Sequence, residues 1–305
     1  MDAVLVRPVS HADHSALAAL FASAGMPPTA MVSSHDCCVA SLGPPERVIG
    51  YGAWWHSRLD KFRMDLLVAE QWRRQGVGTR LLSHVVSQAQ EAGAVTLQAR
   101  VDSNNHESLA FLVGRGFAET MRMHTLVLDV AEVDLAAHVH ILARLAARGV
   151  VLTSLEQELK RGEVFWTEFC PLYNAAHEGW PDPDPGPVTP RTPAELRDRH
   201  YAAAQEHRVG IEQCFLAACG DRYVGFTGAL GTAVHPAFRG QGIATALKLR
   251  AIMAARDHAI ATLDTSTGNP AMVRANERLG FRLVSTEVRL VRTLPAVARP
   301  VMSVP

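Results

Sequence analysis

Two short stretches of this chain have the residue types and spacing to hold an anion. Residues 73–80 read RRQGVGTR and residues 239–246 read RGQGIATA, and each runs straight into an apolar, helix-like segment. The first backbone N–H groups of a helix have no partner within it, and the aligned peptide dipoles place about half a positive charge at that end. Phosphate is the natural guest of such a site. Gly76 and Gly242 let a diphosphate approach the backbone with no Cβ in the way, while Gly78 and Ala244 keep the helix start slim. Arg73, Arg74 and Arg239 can add charge-assisted contacts. Neither stretch is a P-loop, because no Lys-Ser/Thr follows the glycines, and neither opens as G-x-G-x-x-G. A glycine turn of this kind, taken singly, fits a plain helix start as well as a ligand site.

The turn occurs twice because the chain repeats itself. Arg73, Gln75, Gly76, Val77, Gly78, Thr79 and Leu81 match Arg239, Gln241, Gly242, Ile243, Ala244, Thr245 and Leu247 at a spacing of 166. Downstream, NHESLAFLVGRGF (105–117) matches NPAMVRANERLGF (269–281) at a spacing of 164. Two motifs in the same order at nearly the same spacing mark a tandem duplication.

The elements that must position these turns follow from periodicity and punctuation. The first half predicts a strand over 3–9, a helix over 11–25, and antiparallel strands over 37–43, 47–58 and 61–70. A helix then presents Val77, Leu81, Leu82, Val85, Val86 and Ala89 on one face. A strand over 95–101, a helix over 106–114 and strands within 118–130 close the half. A helix over 133–149, ended by Gly149, connects to a strand over 150–155. The second half predicts strands over 213–219, 222–228 and 231–235, the glycine turn, a helix, a strand over 259–265, a second helix and closing strands. WPDPDPGPVTPRTP (180–193) is too proline-rich for helix or central strand and reads as a surface loop. The expected division is 1–131, a connecting helix 132–149, and 150–305.

Composition narrows the function. Lys+Arg and Asp+Glu both number 30, so no basic field argues for nucleic acid or an anionic membrane. The five cysteines form no CxxC pair, which suits a reducing cytoplasm. MDAVLVRPVS has no apolar run long enough for a signal peptide, and His138, His140, Arg144 and Arg148 interrupt the most apolar long segment. His138 and His140, two apart on a helix, do not share a face, so no metal is expected. A cytoplasmic protein, monomer or homodimer, with no nucleic-acid or membrane partner is the expectation.

LVAEQWRRQGVGTRLL and AVHPAFRGQGIATALK resemble the Q/R-x-x-G-x-G/A signature of the GNAT superfamily of N-acetyltransferases. Arg73, Gly76 and Gly78 fill it first, then Arg239, Gly242 and Ala244. That family's Val-x-Pro lead-in is complete in the second half (Val234, Pro236), whereas the first has Val68 and Glu70. The resemblance covers nearly all of both halves, and tandem members such as mycothiol-synthase-like proteins share the layout. It implies an α/β (α+β) class: two tandem folds, each a mixed, mostly antiparallel sheet flanked by helices and splayed between its fourth and fifth strands to admit acetyl-CoA. It also implies that backbone amides of Arg74, Gln75, Gly76, Val77, Gly78 and Thr79, and of Gly240, Gln241, Gly242, Ile243, Ala244 and Thr245, hold the pyrophosphate. Leu67, Val68, Ala233 and Val234 would pair with pantetheine, one N–H polarising the thioester carbonyl. Asn105 and Asn269 would touch the cofactor arm, and an asparagine there also serves as a helix N-cap.

The acid and base stand out less. Many relatives place a tyrosine seven residues after that asparagine; here the positions are Leu112 and Asn276. Leu112 can donate nothing, and Asn276 can donate a hydrogen bond but no proton. Relatives often set a carboxylate on the fourth strand, where Asp65 is the sole candidate, on the face opposite Val68. It can act as base or amine anchor, or be a surface carboxylate that is solvated or paired with Arg63. The second half has Gly231 there, with His235 the nearest titratable group. The longer fourth strand and Asp65 favour the first half as catalytic, and the fuller Val-x-Pro and Arg-Gly-Gln-Gly turn favour the second. An acetyl-CoA-dependent N-acetyltransferase acting on an amine of a small molecule or peptide is the leading expectation. A non-catalytic acyl-CoA-binding protein, or one catalytic half beside a structural one, are the rivals.

Overall fold

The structure, a computed structural model, describes residues 4–26, 36–43, 46–58, 61–178, 190–207 and 210–295. Its elements in chain order are β1 (Leu5–Pro8), α1 (His14–Ser23), β2 (Asp36–Leu42), β3 (Arg47–Arg58), β4 (Lys61–Val68), α2 (Val77–Glu91), β5 (Thr96–Asp102), α3 (His106–Val113), β6 (Ala118–Asp129) and α4 (Val139–Ala146). Then follow β7 (Val150–Ser154), α5 (Leu155–Leu159), α6 (Glu163–His177), α7 (Pro193–His207), β8 (Phe215–Cys219), β9 (Arg222–Gly228), β10 (Gly231–Val234), α8 (Ile243–Asp257), β11 (Thr262–Thr267), α9 (Pro270–Arg278) and β12 (Arg282–Thr293). The proline-rich stretch expected as a loop lies outside the described residues up to residue 189, and α7 begins at Pro193.

The chain forms two compact units, and they do not follow linear order: one is Met1–Met121 with Glu287–Pro305, the other Arg122–Thr286. The first unit's sheet runs β1-β2-β3-β4-β5 and then takes residues 287–293 of β12, which pair antiparallel with 96–102 of β5. All its pairings are antiparallel except β4 with β5. The second unit has an antiparallel sheet in the order β10-β9-β8-β7, and β11 pairs antiparallel with residues 124–129 of β6. Each unit is thus finished by the last strand of the other repeat. Contacts thus group the chain otherwise than by the linear order of its two repeats.

Helices seat on the sheets where glycines clear the way. A Cβ on Gly50 of β3 would lie 2.9 Å from Leu81 Cδ1, and one on Gly225 of β9 would lie 2.9 Å from Ile243 Cγ2. Helices α2 and α8 therefore ride close on the strands beside β4 and β10. In the first unit, Val77, Leu81, Leu82, Val85 and Ala89 of α2 pack with Ile49, Met64, Leu97 and Leu290. The opposite sheet face buries Tyr51, Val39 and Ala53 under Leu17, Leu20 and Phe21 of α1. In the second unit Ile243, Ala246 and Leu247 of α8 pack with Phe215, Val224 and Leu145, and Leu249 and Ile252 pack with Leu126, Leu128 and Phe281. The other face carries an aromatic layer of Phe165, Trp166, Phe169, Tyr173 and Phe226.

Element ends shift where side chains compete for the backbone. The helix expected over 133–149 is helical only over Val139–Ala146. Asp134 Oδ1 accepts from the N–H groups of Ala136 and Ala137, which holds the approach as a turn. Around residue 11 the expected helix begins as a 3-10 turn, His11–Asp13, fixed by Asp13 accepting from Ser10 N at 2.7 Å. The strand expected to reach 70 stops at Val68, before a 3-10 turn, Glu70–Trp72.

Candidate functional site

The two glycine turns share one geometry down to individual bonds. A 3-10 turn, Glu70–Trp72 or Pro236–Phe238, delivers an extended arginine. Its Nε donates back to the last strand residue, Arg73 to Val68 O at 3.3 Å and Arg239 to Val234 O at 3.2 Å. Arg74 (φ 60°) and Gly240 (φ 76°) take the same left-handed place in the two repeats. An arginine there carries strain of order 1 kcal/mol that a glycine avoids. Gly76 (φ 83°) and Gly242 (φ 91°) are the N-caps of α2 and α8, and no side chain caps either helix. Ring closure begins with Arg80 N to Gly76 O and Ala246 N to Gly242 O, at 3.1 and 3.0 Å. The N–H groups of residues 77–79 and 243–245, ahead of those bonds, are left aimed out of the helix end.

Guanidinium groups stand beside both turns. Arg115, just past α3, donates from Nη2 to Thr79 Oγ1 at 2.6 Å and lies 3.8 Å over the Phe111 ring. A Cβ on Gly78 would press on that ring at 3.3 Å, which explains the glycine. In the second unit Arg144 of α4 brings Nη2 to 3.0 Å from where a Gly242 Cβ would stand. Arg144 lies outside both repeated segments, and Arg115, inside the second of them, has Leu279 as its counterpart, so the glycine-turn motif did not point to either.

The strands that lead into the turns have open edges. Parallel pairing of β4 with β5 covers only Lys61–Arg63 against Thr96–Gln98. Leu67 and Val68 lie beyond it, paired on their other side with Tyr51 and Gly50. In the second unit the parting is complete: among the described residues β10 pairs with β9 and β11 with β6. Ala233 and Val234 pair with Phe226 and Gly225 and leave their second edge unpaired by strand.

Asn105 and Asn269 are helix N-caps, their Oδ1 atoms accepting from Ser108 N at 3.0 Å and Ala271 N at 2.9 Å. His235 caps its 3-10 turn through Ala237 N, a structural use. Asp65 pairs with Ala53 across β3–β4 and lies on the α1 side of the sheet with Tyr51 and Leu67, opposite Val68. Burial raises the Tyr51 phenol's pKa, and its hydrogen bond with Cys37 and the nearby charge of Asp65 push the same way. Leu112 is core. Asn276 is fully buried, and neither its Oδ1 nor its Nδ2 has a hydrogen-bond partner. Among the described residues no helix is long and apolar enough to cross a membrane.

The model of the acetyltransferase (GNAT) family matches residues 14–117 and 166–281, one stretch in each repeat. A GCN5-related N-acetyltransferase from Sphaerobacter thermophilus superposes with a TM-score of 0.64 at 16% identity, over 96% of this chain and 97% of that one. A tandem GNAT protein from the clavulanic acid biosynthesis pathway gives 0.60 at 18% identity, over 97% and 100%. The GCN5-related glucosamine N-acetyltransferase region of a fungal multi-domain β-N-acetylglucosaminidase gives 0.69 at 14% identity, where 95% of this chain spans 38% of that one. No curated protein matches the chain in sequence.

Proposed function

The chain belongs to the acetyltransferase (GNAT) family, and on that premise we propose that it transfers an acetyl group from acetyl-CoA to an amine of a small molecule or peptide by direct attack. The doubled cradle supports this most: two uncapped helix ends, each behind a left-handed glycine and flanked by guanidinium groups, fit a diphosphate. Acetyl-CoA, when bound, supplies an acetyl group already activated as a thioester.

The chain's own groups then bind and orient. Amides of residues 77–79 and 243–245, with Arg73, Arg74, Arg115, Arg239 and Arg144, would hold the diphosphate. The open edges at Leu67–Val68 and Ala233–Val234 would align an extended arm, and an outward N–H there would polarise a carbonyl. Asn105 and Asn269, already used as caps, keep a second lone pair for that arm. In the first unit the Asp65 carboxylate would anchor the amine and take its proton.

Leu112 and Asn276, one in each repeat and neither able to give up a proton, favour a second reading in which the chain holds acyl-CoA without turning it over. Incubation with acetyl-CoA and a panel of amines, read by thiol release and by mass of the acylated amine, tests both. Stoichiometric thiol and product support transfer. Cofactor bound at both turns with no thiol release supports the second reading, and no binding at either turn overturns both.

A further inference from the structure

Leu82, Val101, Leu112 and Phe117 belong to one apolar cluster of the first unit. Their counterparts in the second repeat are Lys248, Thr265, Asn276 and Phe281. The correspondence is positional. Lys248 and Leu82 are each the sixth residue of the helix behind the turn, and Asn276 and Leu112 each stand seven after the capping asparagine. Thr265 and Val101 stand four before it. Three aliphatic positions have become polar in one layer, and only the aromatic is kept.

Two of the three polar residues are buried, Thr265 is half-buried, and the group is incompletely satisfied. Lys248 is 6% exposed and Asn276 0%. Lys248 Nζ donates to Thr265 Oγ1 at a long 3.5 Å and lies 5.4 Å from the centre of the Phe281 ring. Phe281 N in turn donates to the backbone oxygen of Asn276 at 3.1 Å, which joins the two residues through the main chain. Both polar atoms of the Asn276 side chain lack partners. Among the described residues no carboxylate pairs with Lys248. Burial lowers the ammonium's pKa to about 8, which leaves it charged at neutral pH. A buried ammonium without a counter-charge and a buried amide without partners are both costly, far more so than the leucines they stand in place of. One ammonium, one NH₂ and one hydroxyl match the acceptor atoms and the single charge of a carboxylate. Lys248 lies only about 8 Å along the helix from the glycine turn, on the β11 side of the unpaired edge of β10.

We propose that Lys248, Thr265 and Asn276 form a carboxylate-recognition subsite in the second unit, reading a carboxylate carried by the acyl group or by the amine acceptor. The subsite rests on the reading of the α8 turn as an acyl-CoA site. Calorimetry on the full chain, with acetyl-CoA against succinyl-CoA, and with alanine against ethylamine in the presence of CoA, separates the two sources. The wild type should prefer one carboxylate-bearing member by tenfold or more, and Lys248→Met and Asn276→Leu should erase that preference while binding acetyl-CoA within twofold of wild type. Lys248→Leu, the first repeat's residue, should fold at least as stably as wild type, so lost preference does not reflect unfolding. If the wild type binds no CoA thioester, the acyl-CoA reading fails. The subsite is then read from the ¹⁵N-labelled Lys248 ammonium resonance, assigned with Lys248→Met, which should shift on adding succinate. Equal binding of every pair by wild type and variants, or a resonance that succinate leaves unmoved, overturns the proposal.

Discussion

Gly76→Glu and Gly76→Ala place different charges on the same backbone position, and their comparison isolates the electrostatics of the cradle. Gly76 has φ 83°, and a Cβ there meets no atom within 4 Å. Both variants therefore carry the same left-handed strain, about 1 kcal/mol, with no steric term. That strain lowers the melting temperature of either by roughly 3 °C. The glutamate alone adds a negative charge about 5 Å from the diphosphate seat, which costs roughly 0.8 kcal/mol per charge pair in bulk water and about 3 kcal/mol at an effective dielectric of 20. With two phosphate charges the loss is at least about 1.5 kcal/mol, a tenfold or greater fall in affinity. Calorimetry with CoA, in a Gly242→Glu background that silences the second turn, reads it directly. The gap between the glutamate and alanine variants should narrow as salt rises, because the Debye length contracts from about 10 Å at 0.1 M to about 3 Å at 1 M. Gly76→Lys, equally strained, should bind at least as well as the alanine variant. A glutamate variant that binds CoA as well as the alanine variant refutes the phosphate assignment, as does a gap indifferent to salt.

Three further outcomes follow from packing and titration. Asp13 accepts two bonds from Arg7, at 2.7 and 2.8 Å, and two from Ser10, and Arg7's hydrogen bonds hold its carboxyl well below the usual carboxylate range. Its contribution is complete above the unfolded pKa near 4 and is lost as pH falls through the lower folded value, so Asp13→Asn should cost roughly 2 kcal/mol in urea unfolding at pH 7 and progressively less below pH 4. Burial keeps the His177 imidazole neutral, its pKa pushed down to about 4, with the Arg199 and Arg191 charges adding to the effect. The unfolded state binds the extra proton between about pH 6.5 and 4, so stability should fall as pH drops through that window by up to about 1 kcal/mol per unit, and His177→Gln should flatten the slope in unfolding measured at pH 7 and 5. Gly225→Val would drive a Cβ to 2.9 Å from Ile243 Cγ2 and 3.1 Å from Leu247 Cδ1. It should cost about 1–3 kcal/mol by thermal unfolding and weaken CoA binding at the α8 turn, where a purely peripheral glycine would leave both unchanged.

What the sequence made legible is what its physics keeps local. The glycine turns, the apolar face of α2 and the asparagine caps are each settled within a few residues, so their pattern is visible in the chain itself. The partners of β6 and β12 are not local. Both strands alternate alike, and nothing within 118–130 or 282–293 says that 124–129 will pair with β11 while 287–293 pairs with β5. Arg115 and Arg144 reach the turns from outside the glycine-turn motif, Arg115 lying over the Phe111 ring and Arg144 coming from α4, and that motif cannot report them. Lys248 passes in the sequence as one lysine of a helix, and only its burial and its alignment with Leu82 give it meaning.

The central claim is that the two glycine turns are the places where this chain holds the diphosphate of acetyl-CoA. Hydrogen exchange of the backbone amides with and without acetyl-CoA tests it residue by residue. Slowed exchange at 77–79, at 243–245, or at both is the predicted result. Binding that protects other segments and leaves both turns unchanged would contradict it.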